Sequence, residues 1–169
     1  MSETTGEPSE SAEPRGIDPD IDLRDRRQAR ELPDAPWVVL PLIAAGGAIG
    51  GTARYGAGGL LPTAPGEFPV ATFLVNVSGC LLIGVLMALI ARAGPRFRPA
   101  RPFLGVGVLG GYTTFSTYIA DVQGLLDAGR PAVALAYLGT TLLCALAAVW
   151  AGTALAEAAL GRAGNGGGR

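Results

Sequence analysis

Histidine and lysine are absent from the 169-residue chain, and cysteine occurs only twice. Without histidine there is no imidazole to bind a metal ion or to act as a general base near neutral pH. Cys80 and Cys144 both lie inside apolar stretches, where neither a disulfide framework nor a cysteine-rich zinc site is expected. No nucleophile with a neighbouring base is visible, which argues against an enzyme. The arginines form no long cluster, which argues against a nucleic-acid-binding protein.

Charge is scarce beyond the first 34 residues, which hold ten of the 14 acidic residues and five of the 13 arginines. This leading segment lacks the positive region and short apolar core of a signal peptide. Residues 1–35 are therefore predicted to form a disordered, solvated tail. The remaining chain contains apolar stretches with few charges, whereas the surface helices of a soluble domain carry many. The solvent for most of the chain is expected to be lipid.

Four apolar stretches are long enough to cross a bilayer as helices, which takes about 20 residues. They are residues 37–61, 68–91, 102–126 and 131–159. The joining segments are short, which favours antiparallel neighbours. The predicted fold is an all-α integral membrane domain with four transmembrane helices over residues 36–160. A disordered C-terminal tail is predicted for residues 161–169.

The arginines near these spans are divided unevenly between the two sides of the membrane. With four spans, both tails and the second loop share one side, and Arg130 is the only loop arginine on the other. The richer side carries Arg24, Arg26, Arg27, Arg30, Arg92, Arg96, Arg98, Arg101 and Arg162. Because the arginine-rich side normally faces the cytoplasm, we predict a cell-membrane protein with one fixed orientation and both termini cytoplasmic.

The third span is interrupted by a polar run over residues 110–117. Two glycines precede four hydroxyl side chains that fall within five residues: Thr113, Thr114, Ser116 and Thr117. Glycines directly before hydroxyl residues favour an unwound segment, and the ends of broken helices bind ions in transporters. Phe115 and Tyr118 would share a face if the helix resumed there. We therefore predict a broken third helix with a role in ion binding.

Other polar side chains also lie within the spans. Asn76 is near the middle of the second span, and Thr72 lies one helical turn earlier on the same face. An amide at this depth either links helices or lines a pore or binding site. Arg54 and Asp121 lie toward the ends of their spans and are interpreted as reaching to the membrane interface.

Four segments taken together resemble the CrcB/Fluc family of fluoride channels over about residues 44–153. Each alone is a modest signal, but their order in a four-span chain of this length is specific. They are the glycine-rich segment 46–55, the segment 72–79 around Asn76, the polar run with Tyr118 (110–118), and Tyr137 with Thr140 and Thr141.

The resemblance implies an antiparallel dimer of four-helix subunits with two fluoride pores and a structural sodium ion (Na⁺) at its centre. Backbone carbonyls of Gly110 and Thr113 would hold the sodium ion. The function implied is passive export of cytoplasmic fluoride, which lowers its toxicity without any chemical reaction. The fluoride pathway would include Asn76, Phe115, Ser116, Tyr118, Tyr137 and Thr141, with Thr72 beside it.

The chain departs from the family pattern in three ways. Tyr118 stands where the family usually has a second phenylalanine. Ala145 and Val149 stand where hydroxyl residues can extend the polar track of the fourth helix. The arginine bias is strong, whereas family members that form homodimers insert in both orientations and have little bias. These departures favour an oppositely oriented paralogue as the second subunit.

Two other functions remain open from the sequence. The reduced polar track in the fourth span is compatible with a non-conducting partner subunit or a scaffold. A small multidrug-type transporter also has four spans, but its proton coupling needs a carboxylate near the middle of the first span. That span contains no acidic residue.

Overall fold

The computed structural model describes residues 36–93 and 100–165. Helices account for the regular structure in these ranges, and no strand occurs in them, so the all-α prediction is confirmed. The predicted N-terminal tail, residues 1–35, lies outside the described residues. The helices are α1 (Pro36–Leu60), α2 (Val70–Ala93), α3 (Arg101–Leu109), α4 (Gly110–Tyr112), α5 (Ser116–Asp127) and α6 (Pro131–Asn165). Helix α6 thus includes the first residues of the predicted C-terminal tail, 161–169.

Two helices in the described ranges are long and apolar enough to cross a bilayer. They are α2, with a mean hydropathy of 2.5, and Pro131–Gly161 of α6, with a mean hydropathy of 2.1. Only 28% and 22% of their most apolar stretches are buried within the chain, whereas the core helix of a soluble protein is mostly buried. The other two predicted spans fall on α1 and on the successive short helices α3, α4 and α5, which are not among the helices that meet this criterion.

The chain between Arg101 and Asp127 does not form one continuous α-helix. Helix α3 has the wider turns of a π-helix, and the Gly110 N–H donates five residues back to the Gly105 carbonyl. Helix α4 ends at Tyr112, and Thr113 is extended, with φ −75° and ψ 156°. Helix α5 begins at Ser116. The polar run noted in the sequence therefore coincides with an interruption of the helix.

The helices pack as two main pairs, α2 with α6 and α1 with α3 and α4. Small residues allow the backbones in both pairs to approach closely, as is common in membranes. In the first pair, a Cβ added to Gly152 of α6 would lie 3.2 Å from the Val85 N of α2. In the second pair, a Cβ added to Gly46 of α1 would lie 2.9 Å from the Gly107 Cα of α3.

A tight turn joins α5 to α6. Gly129 has a left-handed backbone, with φ 70°. Its N–H donates to the Leu126 carbonyl, and the Arg130 N–H donates to the Leu125 carbonyl, both at 2.9 Å. This is the hydrogen-bond pattern of a Schellman motif, which ends α5 sharply. The turn brings α6 back along α5, so that the two helices pack against each other.

The contact between Gly46 and Gly107 predicts a sharp difference between neighbouring glycines. A Cβ at Gly46 meets backbone atoms that cannot rotate away, whereas a Cβ at Gly47 meets nothing within 4 Å. Gly46→Ala should lower the free energy of unfolding by about 1–3 kcal/mol, because overpacking forces the helices apart. Gly47→Ala is the matched control and should leave it unchanged or slightly higher. Thermal unfolding in detergent measures both, and equal stability of the two variants would contradict the packing described here.

Candidate functional site

The side chain of Asn76 holds both backbone polar groups of Thr114. The Thr114 N–H donates to Asn76 Oδ1 at 2.8 Å, and Asn76 Nδ2 donates to the Thr114 carbonyl at 2.9 Å. This pair of bonds joins the middle of α2 to the interruption between α4 and α5. It satisfies backbone groups that lipid cannot satisfy. Because an amide nitrogen carries two N–H groups, one donor of Asn76 is left for another partner.

The Thr114 hydroxyl organises the start of α5. The side chain is buried, with 8% of its surface exposed. Its Oγ1 accepts the Thr117 N–H at 3.1 Å and donates to Thr117 Oγ1 at 3.0 Å, and these two bonds hold the first turn of α5. Ser116 Oγ lies 3.3 Å from the same hydroxyl. Ser116, predicted to line the fluoride pathway, is therefore placed in the first turn of α5, beside the Thr114 hydroxyl.

A cavity of about 460 Å³ lies against the interruption. Four of the predicted pathway residues line it: Asn76, Phe115, Tyr118 and Thr141. Its other lining residues are Cys80, Thr113, Thr114, Ile119, Leu138, Leu142 and Ala145. The wall is mostly apolar, with a few amide and hydroxyl groups and no charged side chain among the lining residues. We call this space the first cavity.

The hydroxyl of Thr141 is the most unusual polar group in the first cavity. Thr141 is 4% exposed, and its Oγ1 has no hydrogen-bond partner within the described residues. A threonine in a helix can bond back to the preceding turn, as Thr52 does to the Ala48 carbonyl at 2.7 Å. Burying a hydroxyl without a partner costs about 1–3 kcal/mol. Thr141 lines the cavity as a residue, but its unpaired Oγ1 has almost no exposed surface, so the hydroxyl lies within the wall of the cavity.

Aromatic rings form a row from the first cavity into the interior. Phe115 is 75% exposed, and its ring centroid lies 6.0 Å from that of Tyr118. Tyr118 lies 5.2 Å from Tyr137, and Tyr137 lies 5.1 Å from Phe68, both edge to face. The Tyr118 hydroxyl donates to the Leu138 carbonyl at 2.6 Å. The group that distinguishes Tyr118 from phenylalanine therefore links α5 to α6.

Tyr137 is fully buried and lies behind the first cavity, although the resemblance implied a place for it on the pathway. Its side chain is 0% exposed, and its hydroxyl donates to Asp121 Oδ2 at 3.2 Å. Asp121, interpreted from the sequence as reaching to the membrane interface, has this partner inside the protein. The i, i+4 spacing that places Tyr137 and Thr141 on one helix face does not reveal which of them borders empty space.

A second cavity, of about 760 Å³, lies on the α1 side of the interruption. Arg54 is the one charged residue among those that line it, and Thr72 lines it rather than the first cavity. Thr114 lines both cavities. The sequence signal for this space is the group of glycines around Arg54. The full lining is Gly51, Arg54, Tyr55, Gly56, Gly58, Gly59, Ala71, Thr72, Val75, Thr114 and Thr117.

Gly110 and Thr113, whose carbonyl groups are predicted to hold sodium, lie at the start of α4 and directly after its end. A helix end leaves its last four carbonyls without helical donors. Gly110 is exposed and Thr113 is partly exposed. The N–H groups that would normally reach these two carbonyls bond to Asn76 Oδ1 and Thr114 Oγ1 instead. Backbone carbonyls in such a position can replace the water around an alkali cation.

Residues 41–153 match the family described as CrcB-like protein, Camphor Resistance (CrcB). The chain belongs to the CrcB family. The resemblance seen in the sequence motifs is thereby confirmed, and the apolar helices are those of a membrane protein family.

Curated relatives of this CrcB-family chain are named fluoride-specific ion channels. FluC 2 of Streptomyces avermitilis is 52% identical over 125 residues, covering 74% of this chain and 79% of the relative. FluC 2 of Nocardia farcinica is 49% identical over 135 residues, covering 80% and 96%. Streptomyces avermitilis has a further relative, FluC 3, which is 45% identical over 124 residues and covers 73% of this chain and 61% of the relative.

The unpaired hydroxyl of Thr141 makes a prediction about stability. Valine has nearly the same shape as threonine but no polar group. Thr141→Val should therefore raise the free energy of unfolding by about 1–3 kcal/mol. Thr140 is exposed, so Thr140→Val is the matched control and should have little effect. Thermal unfolding in detergent measures the change, and a clear loss of stability in Thr141→Val would show that the hydroxyl has a structural partner.

Proposed function

We propose that this CrcB-family chain is a subunit of a fluoride-selective passive channel that exports cytoplasmic fluoride and so lowers its toxicity. The observation that carries the proposal is the single cavity beside the interruption that Asn76, Phe115, Tyr118 and Thr141 line together, the last of them with a buried hydroxyl that has no partner within the described residues. The names of the curated relatives support the same function. The protein would conduct the ion without catalysing a reaction.

The chemistry of the first cavity suits a small, strongly hydrated anion. Fluoride must exchange water for other donors, and the free N–H of Asn76 and the O–H of Thr141 are such donors. The ring edges of Phe115 and Tyr118 carry partial positive charge and can face an anion. Weak, fixed donors without a full positive charge allow the ion to leave again, which conduction requires. In the second cavity, Arg54 would attract the anion toward the pathway.

The assembly proposed is an antiparallel dimer of four-span subunits. In each subunit, α3 and α4 would form the first half of a broken third span and α5 the second half. Gly110 and Phe115 lie at this break and are exposed in the single chain. A second subunit would cover them and complete the two pores. The carbonyls of Gly110 and Thr113 would then hold the structural sodium ion at the dimer centre.

We propose a paralogue, rather than a second copy of this chain, as the oppositely oriented partner. The arginine distribution fixes one orientation, with both termini in the cytoplasm and the chain in the cell membrane. Two identical chains with one fixed orientation cannot form an antiparallel pair. The numbered relatives of Streptomyces avermitilis support the proposal, because one organism there has more than one such chain.

A non-conducting role within such a heterodimer is the second candidate. Ala145 lines the first cavity, at a position where a hydroxyl would extend the polar track. A subunit with this gap could supply the cation site and half of the dimer while the partner supplies the more active pore. A small multidrug-type transporter receives no support, because the first span contains no carboxylate for proton coupling.

Fluoride efflux from proteoliposomes, followed with a fluoride electrode, tests this function. The chain alone should give little efflux, because it inserts in one orientation. Co-expression with a second CrcB-family chain from the same genome should restore it. In that assembly Thr141→Val should slow efflux by about tenfold or more, since a hydrogen bond to a charged group is worth about 1.5–3 kcal/mol.

Robust efflux from the chain alone would show that it forms a conducting homodimer. Efflux from the pair that is insensitive to Thr141→Val would support the non-conducting role for this subunit. Absence of efflux with every co-expressed paralogue would contradict the channel function itself.

The hydroxyl of Tyr118 makes a separate prediction, because it bonds to the Leu138 carbonyl rather than projecting freely into the cavity. Tyr118→Phe keeps the ring edge, so the efflux rate of the conducting assembly should stay within about twofold of wild type. Stability should fall by about 0.6 kcal/mol, the average for a hydrogen bond between membrane helices. Tyr118→Leu removes the ring and should slow efflux. Loss of efflux in Tyr118→Phe would assign the hydroxyl itself to the anion pathway.

A further inference from the structure

We infer that Asn76 is a positioning residue for the cation site, because it removes the backbone N–H that would otherwise bond to the Gly110 carbonyl. This inference rests on the structural sodium of the proposed function and extends it. Asn76 does not ligand the cation in this arrangement. It acts through the backbone of Thr114, which it holds by two hydrogen bonds of 2.8 and 2.9 Å.

The first step concerns the path that a continuous helix would take. In an α-helix each N–H bonds to the carbonyl four residues earlier. The Thr114 N–H would then donate to the Gly110 carbonyl, and the Thr117 N–H would donate to the Thr113 carbonyl. In this structure the first N–H bonds to Asn76 Oδ1 at 2.8 Å and the second to Thr114 Oγ1 at 3.1 Å. The side chains of Asn76 and Thr114 thus accept the two N–H groups that would otherwise bond to the carbonyls assigned to the cation.

The neighbouring carbonyl shows that this outcome is selective. The Leu109 carbonyl accepts the Thr113 N–H at 2.9 Å and the Thr113 hydroxyl, also at 2.9 Å. The Leu109 carbonyl therefore accepts two hydrogen bonds, and Leu109 is buried. Gly110, the next residue, is exposed. In this short stretch the Leu109 carbonyl accepts two hydrogen bonds, whereas the Gly110 carbonyl loses its helical donor to Asn76.

Helix α2 provides a rigid template for this arrangement. Ser78 Oγ lies 3.1 Å from the Tyr112 hydroxyl, one residue before the extended segment. Gly79 leaves room for the Thr113 side chain, which a Cβ at that position would meet. Asn76 then holds Thr114. Helix α2 therefore contacts Tyr112 at the end of α4 and the next two residues, Thr113 and Thr114, and the Asn76 pair is the part that decides where an N–H goes.

One amide therefore serves two ions in the proposed channel. One N–H and the carbonyl oxygen of Asn76 hold the Thr114 backbone, and the remaining N–H belongs to a side chain that lines the first cavity. Loss of fluoride efflux in an Asn76 variant consequently cannot separate the two roles. The sodium dependence of stability can separate them, since it does not require conduction.

The test measures the sodium concentration that gives half of the maximal thermal stabilisation of the purified conducting assembly, with sodium replaced by a large organic cation at constant ionic strength. Asn76→Leu has a similar volume but neither hydrogen bond, and it should raise this concentration by about 10- to 100-fold, the usual effect of losing a partner behind a metal ligand. Thr114→Val should act in the same direction through the Thr117 N–H. Thr114→Ser keeps the hydroxyl and should resemble the wild type.

Three outcomes overturn the inference. A wild-type sodium midpoint in Asn76→Leu does so directly. If that variant does not fold, equal midpoints for Thr114→Val and Thr114→Ser do so instead. If the wild type shows no stabilisation by sodium, the sodium site and this inference both fail. That result would not contradict the proposed fluoride channel, because efflux is measured separately. Thr141→Val provides the converse control, because it should lose efflux and keep the wild-type sodium midpoint.

Discussion

Backbone groups in the hydrocarbon of a membrane must find partners inside the protein, since each one left without a partner costs several kcal/mol. An interrupted helix at membrane depth breaks this requirement at several residues together. Here the exchange of two hydrogen bonds between Asn76 and the Thr114 backbone satisfies the residue at the centre of the interruption. The Thr114 hydroxyl then starts α5, and the first cavity opens beside it. The arrangement of the site therefore follows from one amide on α2.

Much of this arrangement could be predicted from residue types and spacing. Apolar length gave the all-α membrane domain, and α1, α2 and α6 begin and end within a few residues of the predicted spans, except that α6 continues to Asn165. Two glycines before a cluster of hydroxyls marked the interruption. The amide of Asn76, near the middle of its span, indicated either a link between helices or a residue that lines a pore. The structure shows the link, made through the oxygen and one N–H of the amide, and the other N–H belongs to a side chain that lines the first cavity.

Other parts of the site depend on which distant groups meet, and spacing along one helix cannot supply that information. Tyr118 was noted for its extra hydroxyl, but its partner is a carbonyl on another helix. Tyr137 and Thr141 share a helix face, yet one is surrounded by aromatic rings and the other borders a cavity. Arg54 faces open space only because the glycines near it supply no side chains to fill that space.

Thr114 is the one residue shared by the linings of the two cavities. At that point one residue contributes to the walls of both cavities. A voltage across a membrane drops most steeply where the insulating layer is thinnest. In the proposed channel, with water entering the two cavities from opposite sides of the membrane, much of the membrane potential would therefore fall across the wall that Thr114 shares between them.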